Sequence, residues 1–580
     1  VIPLQELNRL APPDFADALA SVFENSPWIP QSIAERRPFA SGIALHRALC
    51  EAVMQAGEQR QLALIRAHPE LAGRAAVRGD LTAASTAEQK GAGLSACTRQ
   101  QYERLQQLNT EYNRRFGFPF VLAVKGHNPD SVIAALAERV THEAAAERGT
   151  ALREIFRIAR FRLADLVDEP LGDAVIAMAE DLATLSDEIG ALTCSYLTPA
   201  HRATAARIAE YMLAAGLAVH VDAVGNVVGV LEGGQEAKPR VLTGSHYDTV
   251  VNAGKFDGRL GILLPIAVAG ALRRAGVPLP CALEIIAFAE EEGVRFKSTF
   301  LGSRAVAGCF DLAVLDRTDS AGITMRDAIR GAGHDPAAIP FVARDRGQVA
   351  CFIEVHIEQG PVLLEAGLPV GVVTQIAGCV RSSVTVEGMS GHAGTVPMPL
   401  RRDAAAAAAE MVLALERRCS EEPGLVGTVG RLDVPGGAAN VIPGRCEFSI
   451  DIRSGSDAQR DAANAELRAE IQRIAARRRV SARQVTTLEA SSVTCAAALQ
   501  DAWASSIERV TAAPALRLPS GAGHDAMIMA GMTDIGMLFV RCGNGGISHH
   551  PSEILSAEDA DVAARVFRDF LSHPMSSRRQ

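Results

Sequence analysis

"ALEIIAFAEEEGVRF", residues 282–296, is the stretch that decides the fold. Its first half, 282–289, is a short apolar run of the length and β-branched content of a buried strand. Three carboxylates, Glu290, Glu291 and Glu292, stand directly behind it. Like charges in contact repel, and burying a carboxylate is costly unless a cation offsets it. Either the run faces water as a solvated helix start, or it faces a cation that the sequence does not spell out.

The same pattern recurs around it. Runs 227–233 (VVGVLEG), 240–248 (RVLTGSHYD), 351–358 (CFIEVHIE) and 534–542 (DIGMLFVRC) read as strands, interleaved with helical stretches such as 261–276. That alternation predicts an α/β sheet with helices on its faces. Residues 380–489 read as strand, helix, two strands, helix, strand, which is the ferredoxin-like plan. Within that module, the six alanines 404–409 read as helix by propensity. Upstream of residue 170 the character changes. Stretches 44–67, 96–116 and 130–167 carry apolar residues three and four apart, which predicts helices, the last broken near Gly149. "DEPLGD" (168–173) reads as a hinge. The expected organisation is multidomain: an all-α domain over 1–168, an α/β domain over 169–379 and 490–580, and the inserted module 380–489.

Composition fits that division. The chain has 580 residues, 48% hydrophobic and 22% charged, as in a soluble enzyme of about two to four domains. A net charge of −9 gives no reason to expect nucleic acid or an anionic membrane as partner. No apolar run has the length of a membrane span, and "VIPLQELNRLAPPDF" lacks the pattern of a signal peptide. Eleven cysteines without CxxC spacing argue against a disulfide framework or a cysteine-based zinc site, and a reducing cytoplasm is the expected location.

Open α/β sheets gather ligand sites at the carboxyl ends of their strands. His246 in "TGSHYDTV", Asp257 in "GKFDGRLG", His356 in "EVHIEQG" and His549 in "GGISHHPSE" all stand at such junctions, as does the glutamate triplet. A lone histidine there is more often structural than a ligand. Together these residues make a nitrogen and oxygen set that suits Zn²⁺, Mn²⁺ or Co²⁺. A pair of ions needs a bridging carboxylate, for which Asp257 is the natural candidate, and one glutamate can bind while its neighbour handles the proton of an activated water.

Eight motifs carry a resemblance. "GSHYDTV", "FDG", "AEEEGVRF", "HIEQGPVLLEAGLPVGVVT", "GHAGTVPMPLRRDA", "NVIPG", "DIR" and "GISHHPSE" resemble, in order, the M20 metallopeptidase superfamily over about 175–575. They are most similar to its branch of allantoate amidohydrolases and N-carbamoyl-L-amino-acid hydrolases. The resemblance implies two divalent ions, Zn²⁺ or Mn²⁺, held by His246, Asp257, Glu292, His356 and His549, with Asp257 bridging and Glu291 the general base. His550 follows His549 and is the alternative final ligand. The resemblance further implies a homodimer through 380–489, with His392 reaching the partner's site to stabilise the oxyanion. Asn440 and Arg453 match positions that grip the substrate carboxylate, as a guanidinium fork can. Gln359 lies beside the metal. Where relatives often read GQxR this chain reads "GCVRSS", so Cys379 replaces a glutamine and Arg381 keeps the charge. Taken singly, His392 reads as a turn residue and Arg453 as a surface ion pair.

The first 168 residues carry chemistry of their own. "RAHPELAG" (66–73) ends a helix with His68 and Pro69, and "LTAASTAEQKGAGL" (81–94) holds Ser85 and Glu88. From pattern alone, Ser85 with Glu88 reads as a helix-capping box, and His68 as a histidine favoured by a helix C-terminus. With "LNTEYNRRFGFPFVLAVKGH" (108–127), these stretches resemble 2-oxo-4-hydroxy-4-carboxy-5-ureidoimidazoline (OHCU) decarboxylase over about 4–167. The resemblance implies His68 as acid/base and Glu88 as its partner. It also implies a pocket lined by Pro69, Ser85, Thr86, Ala87, Gln89 and the segment Phe120, Val121, Leu122, Ala123 and Val124, with no cofactor.

The two resemblances share one catabolic route. The first activity would yield (S)-allantoin, and the second would hydrolyse allantoate. The alternatives are an N-carbamoyl-L-amino-acid or ureidoglycolate hydrolase downstream, and an inactive binding or scaffold module upstream.

Overall fold

The computed structural model describes residues 1–72, 82–233 and 239–573, and the chain forms two compact units. The first comprises Val1–Ala350, Val355–Pro369 and the chain from Val540; the second comprises Cys351–Glu354 and Val370–Phe539.

The first unit opens with helices, as the periodicity predicts. The expected helix over 44–67 is two, Gly42–Gln55 and Glu58–Ala67, joined at Gly57. Arg99–Phe116 begins on a capping box between Thr98 and Gln101. The break expected near Gly149 falls earlier: Pro129–Arg139 ends, and Ala144–Leu166 runs straight through Gly149. The cause is Glu147. Its fully buried carboxylate accepts from Arg139 Nε at 2.9 Å and Nη2 at 2.6 Å, pairs with His142 Nδ1 at 2.7 Å, and accepts from the Tyr112 hydroxyl. Bringing Arg139 and His142 round to one carboxylate needs a turn between them and Ala144.

Phe15, Leu49, Ile65, Tyr112 and Ile155 are wholly buried in the helical core, which also takes in Leu213 and Ala214 of the later helix Pro199–Ala215. The expected hinge at 168–173 is a packed joint. Glu169 accepts the Gly42 amide at 2.9 Å, and helix Leu171–Ala183 starts at once. Gly172 lies so close to helix Ala557–Ser572 that a Cβ would meet the Ala557 carbonyl at 1.9 Å.

The sheet in this unit runs Ala218–Val221, Val227–Leu231, Leu283–Phe288, Arg240–His246. The first two pairings are antiparallel and the last is parallel, with His246 opposite Phe288. Strand Leu283–Phe288 is buried throughout, as the opening run predicts. Helix Leu260–Arg274 follows the Asp257 loop.

In the second unit, strands Leu425–Thr428, Arg445–Ser454, Gly378–Glu387 and Ser481–Ala490 lie side by side in that order, all antiparallel. Helices Ala404–Ser420 and Asp457–Arg478 pack on this sheet. The alanine run is helical, as expected. Asp403 caps it by accepting the Ala406 amide at 3.0 Å, and buried Ala404, Ala407, Ala408 and Met411 let it approach closely. Strand Val370–Ile376 pairs with Val493–Thr494 and Arg517–Ser520. No described helix is long and apolar enough to cross a membrane.

Candidate functional site

All six residues expected at the metal lie in the first unit, at strand ends. His246 closes its strand, His356 is the penultimate residue of Val349–Ile357, and the glutamates follow Leu283–Phe288. Asp257 is the centre. Its Oδ1 lies 3.2 Å from His356 Nε2 and 3.8 Å from His246 Nε2, and its Oδ2 lies 2.9 Å from His549 Nε2. His549 Nε2 is also 3.3 Å from Glu292 Oε1. Oδ1 thus faces His246 and His356 and Oδ2 faces His549, while Glu292 stands beside His549 and also within 4.8 Å of His246.

The rings are turned for ligation. His246 Nδ1 donates to the Asp248 carbonyl at 3.1 Å and His356 Nδ1 to the Ile357 carbonyl at 2.8 Å, which turns both Nε2 atoms toward Asp257; His356 Nε2 also accepts the Gly258 amide at 3.2 Å. Gly258 is required here: its φ is +65°, and a Cβ would meet the His246 ring at 2.5 Å. His549 and Gln359 both hold φ of 55°, a left-handed conformation that costs a non-glycine residue energy and collects at functional sites.

Charge balance tests whether cations fit. Glu290 is wholly buried, and burial and the neighbouring Asp248 hold its carboxyl well above the usual carboxylate range. Burial also pushes Glu292 up to about 7. The hydrogen bond to Asp257 carries His549 up to about 9. Protons are thus drawn to a cluster whose lone pairs outnumber its donors, and Gln359 Oε1 is buried there with no hydrogen-bond partner. Divalent cations replace those protons with charge that the donor set suits, so the residues fit a metal pair.

Two residues that motif reading passed over hold this geometry. Asp248 accepts the Glu291 amide at 3.0 Å through Oδ1 and the Glu292 amide at 3.1 Å through Oδ2, which fixes the turn that separates the three glutamates. Glu553 accepts the amides of Phe256 and Asp257 and the Ser548 hydroxyl, at 2.7, 3.1 and 2.8 Å, tying the Asp257 loop to the His549 loop. Both stood inside quoted motifs, "GSHYDTV" and "GISHHPSE", but acidic side chains at such spacing carry no mark of their role. Gln359 donates to Asp257 Oδ2 at 2.9 Å. His550 Nδ1 instead accepts the Ser552 amide at 3.1 Å, and the Asp257 contact belongs to His549.

The other expected residues of the hydrolase part lie in the second unit. His392 and Asn440 meet on a two-stranded ribbon, His392 opposite Val441, with the Ala393 amide donating to the Asn440 carbonyl at 3.0 Å; both side chains are exposed. His392 Nδ1 accepts from the Gly394 amide at 3.0 Å, so its Nε2 carries the proton and faces outward as a donor when neutral. Arg381 and Arg453 share Asp451, at 2.9 Å each. The simple ion-pair reading of Arg453 therefore describes part of its bonding; it also donates to the Gly521 carbonyl at 2.8 Å. Cys379 stands opposite Arg453 in the ladder.

A second cluster forms in the helical part. His68, Pro69, Ser85, Glu88, Gln89, Phe120, Val121, Leu122 and Val124 line one small cavity of about 20 Å³. Residues 73–81, between its two walls in sequence, lie outside the described residues. Thr86 and Ala87 are exposed, and the Ala123 amide is taken by Glu154 at 2.9 Å, so these three are not in the lining. The capping-box alternative is corrected: Thr82 is the cap of helix Ala83–Gly91, accepting the Ser85 amide at 3.3 Å. Ser85 instead donates to Glu24 at 3.1 Å. His68 caps the C-terminus of Glu58–Ala67, and its Nδ1 donates to the Leu64 carbonyl at 3.0 Å. Burial, and then nearby Arg162, hold its ring down to about 4, so it is neutral at pH 7 with Nε2 free to take a proton. Glu88 pairs with Arg162 in a fork, Nε to Oε1 at 2.8 Å and Nη2 to Oε2 at 3.0 Å. Arg162 also reaches Glu24 at 3.1 Å and lines the cavity. Its helix carries several arginines, and nothing in their spacing singles this one out.

Both parts of the chain match known families. Residues 8–164 match the family described as OHCU decarboxylase, and residues 242–573 match peptidase family M20/M25/M40. N-carbamoyl-L-amino acid amidohydrolase of Geobacillus stearothermophilus is 40% identical over 377 residues, 65% of this chain and 92% of its own. Allantoate deiminase 1 of Glycine max is 38% identical over 439 residues, 70% of this chain and 91% of its own. The crystal structure of an amidase of the hydantoinase/carbamoylase family from Burkholderia multivorans matches with a TM-score of 0.65 at 31% identity, over 69% of this chain and 97% of that one. Family M20 enzymes typically use two metal ions, in keeping with the paired donor sets around Asp257. The chain therefore belongs to the M20/M25/M40 peptidase family through its α/β part, and joins to it an N-terminal OHCU decarboxylase domain.

Proposed function

We propose that this chain is a bifunctional enzyme of urate breakdown, decarboxylating OHCU to (S)-allantoin in its first 168 residues and hydrolysing allantoate in the rest. The observation that carries the choice of allantoate is the covalent joining of a decarboxylase domain to an amidohydrolase whose relatives include allantoate deiminase. The relative named for N-carbamoyl-L-amino acids sustains that substrate class as the second reading.

In the hydrolase, His246, Asp257, Glu292, His356 and His549 would hold two divalent ions, Zn²⁺ or Mn²⁺, which would supply Lewis acidity. Glu291 acts as general base, taking a proton from the attacking water and returning it to the departing nitrogen. Allantoate and water give ureidoglycine, ammonia and carbon dioxide. Asn440 and Arg453, with Arg381 and Gln359, bind the substrate's polar groups. Residues 380–489 act as a ferredoxin-like lid through which a homodimer forms, and His392 donates from one protomer to the oxyanion in its partner. In the decarboxylase, neutral His68 takes the proton of the substrate hydroxyl at Nε2, with Glu88 held by Arg162 beside it. The carbon–carboxylate bond breaks, carbon dioxide leaves, its electron pair enters the substrate's own imine system, and the former imine carbon then takes back the proton held by His68 to give allantoin.

The test is ammonia release from allantoate against a panel of N-carbamoyl-L-amino acids and ureidoglycolate, in protein loaded with Mn²⁺ or with Zn²⁺. Allantoate is expected to give the highest kcat/KM. Faster turnover of an N-carbamoyl amino acid would establish the second reading.

A further inference from the structure

A cleft of about 680 Å³ opens where the decarboxylase domain meets the hydrolase, entirely within the first unit. Helices Gly42–Gln55 and Ala144–Leu166 form one wall, and Leu171–Ala183 and Pro199–Ala215 the other. Its volume is in the range of small-metabolite sites, and neither catalytic cluster reaches into it.

Five guanidiniums line it: Arg47, Arg153, Arg157, Arg160 and Arg207. Three carboxylates answer them, Glu154, Asp181 and Glu210, an excess of two positive charges. The acids are spread thin. Asp181 serves Arg47 at 3.3 Å, Arg207, and the Tyr211 hydroxyl. Glu210 stands 3.5 Å from Arg157, 3.8 Å from Arg160 and 3.4 Å from Arg207, longer than good charge-assisted hydrogen bonds. Arg157 Nη1 donates to Glu154 at 3.1 Å, while its buried Nε, the atom 3.5 Å from Glu210, makes no hydrogen bond among the described residues. Arg153 donates to the Thr150 hydroxyl at 2.8 Å and has no ion pair among the described residues.

Arg47 and Arg153 are exposed at the cleft, so the excess positive charge faces solvent, where an anion can reach it. The floor of the cleft shows the same positive field. His46 donates from Nε2 to the Phe156 carbonyl at 2.8 Å, and burial, followed by Arg160, holds its ring down to about 3. The histidine adds no charge of its own, and the arginine excess stands.

We propose that this cleft binds a small dianion with carboxylate or phosphate oxygens, gripped by Arg153, Arg157 and Arg160 from the decarboxylase side and Arg207 from the hydrolase side. Guanidinium forks suit both oxygen geometries. Because the walls come from both halves, the ligand would also brace one against the other, so that its binding raises the thermal midpoint of the whole chain.

The experiment is calorimetric titration of the full-length, metal-loaded protein with inorganic phosphate, with malonate, and with acetate as a singly charged control. Either active site can also take an anion, so the readout is a difference between variants. Arg153→Glu breaks no ion pair and cancels the excess charge; it is expected to remove one site per chain, or weaken it about tenfold, with both activities intact. Arg157→Gln combined with Arg160→Gln is expected to do the same. Tighter phosphate than malonate would mark a phosphate ligand, and the reverse order a dicarboxylate. Identical isotherms for wild type and Arg153→Glu would overturn the proposal. So would an equal loss in Arg99→Glu, a remote surface change, or the absence of saturable binding by either dianion below roughly 10 mM.

Discussion

Glu290, Glu291 and Glu292 are three consecutive residues of one type in three environments, and position alone separates their chemistry. Glu290 is wholly buried, where burial and Asp248 raise its pKa well above the usual carboxylate range, Glu292 faces His549, and Glu291 sits between them on a turn pinned by Asp248. Glu291→Gln is expected to lower hydrolysis by about 10²–10⁴ while the metal content, measured by elemental analysis, stays near that of wild type; loss of metal would make Glu291 a ligand instead. His68→Ala, assayed on freshly generated urate-oxidation product, is expected to lose decarboxylation and keep hydrolysis, and retained decarboxylation would remove His68 from the mechanism. A pH effect belongs to the same scale. His46 is held neutral in the fold, with its pKa at about 3, whereas in the unfolded chain it titrates near 6.5. As pH falls between those values the unfolded state takes up the proton first. His46 therefore contributes stability in full above about 6.5 and loses it progressively toward about 3, at roughly 1 kcal/mol per pH unit. Urea midpoints at pH 7, 6 and 5 should fall more steeply for wild type than for His46→Gln; equal slopes would show that the ring charges freely in the fold.

Elements are set by a few polar anchors acting against propensity. Helix Ala144–Leu166 passes Gly149 without a break, because its packed face carries Ala151, Leu152 and Ile155, and the turn before it is imposed by Glu147. That carboxylate also holds Arg139, which donates to the Val121 carbonyl at 2.7 Å and lies over the Phe120 ring at 4.6 Å. A single buried ion pair thus positions one wall of the His68 cavity. Glu147→Ala leaves Arg139 buried and unmatched, at a cost of about 3–5 kcal/mol. The expected result is a lower thermal midpoint together with impaired decarboxylation, and Glu147→Gln should be milder on both. An unchanged midpoint would mean that solvent reaches Arg139.

For the molecule as a whole, the decarboxylase domain and the start of the hydrolase share a core. Leu213 and Ala214 of the hydrolase part are buried with the helical residues, Gly172 lies against helix Ala557–Ser572, and Glu169 holds Gly42. Two domains with a continuous core unfold together. Decarboxylation and hydrolysis are therefore expected to be lost over the same temperature interval in thermal inactivation, and residues 169–580 alone should be less stable than the full chain. Inactivation of the two activities at well-separated temperatures would show that the joint opens.

How much of this was legible depended on whether a signal was local. Strand Leu283–Phe288, the helices of the first 168 residues and the strand and helix order of 380–489 follow from periodicity and side-chain type, which neighbours in sequence express. The candidate ligands stood out because several histidines and carboxylates fell at strand ends together, although any one of them alone is more often structural. Strands Ala218–Val221, Val370–Ile376 and Arg517–Ser520 were missed, being short or lacking clear alternation. The hinge at 168–173 was misread, since Gly172 serves close packing against helix Ala557–Ser572 and Pro170 opens the next helix. Sequence by itself determined which chemistries the chain can hold and on which elements they ride. Only the tertiary structure decided that one oxygen of Asp257 faces His246 and His356 while the other faces His549, that Arg162 locks Glu88, and that five arginines gather between the halves. Those relations join residues tens to hundreds of positions apart, and such distances are set by packing, which no local pattern records.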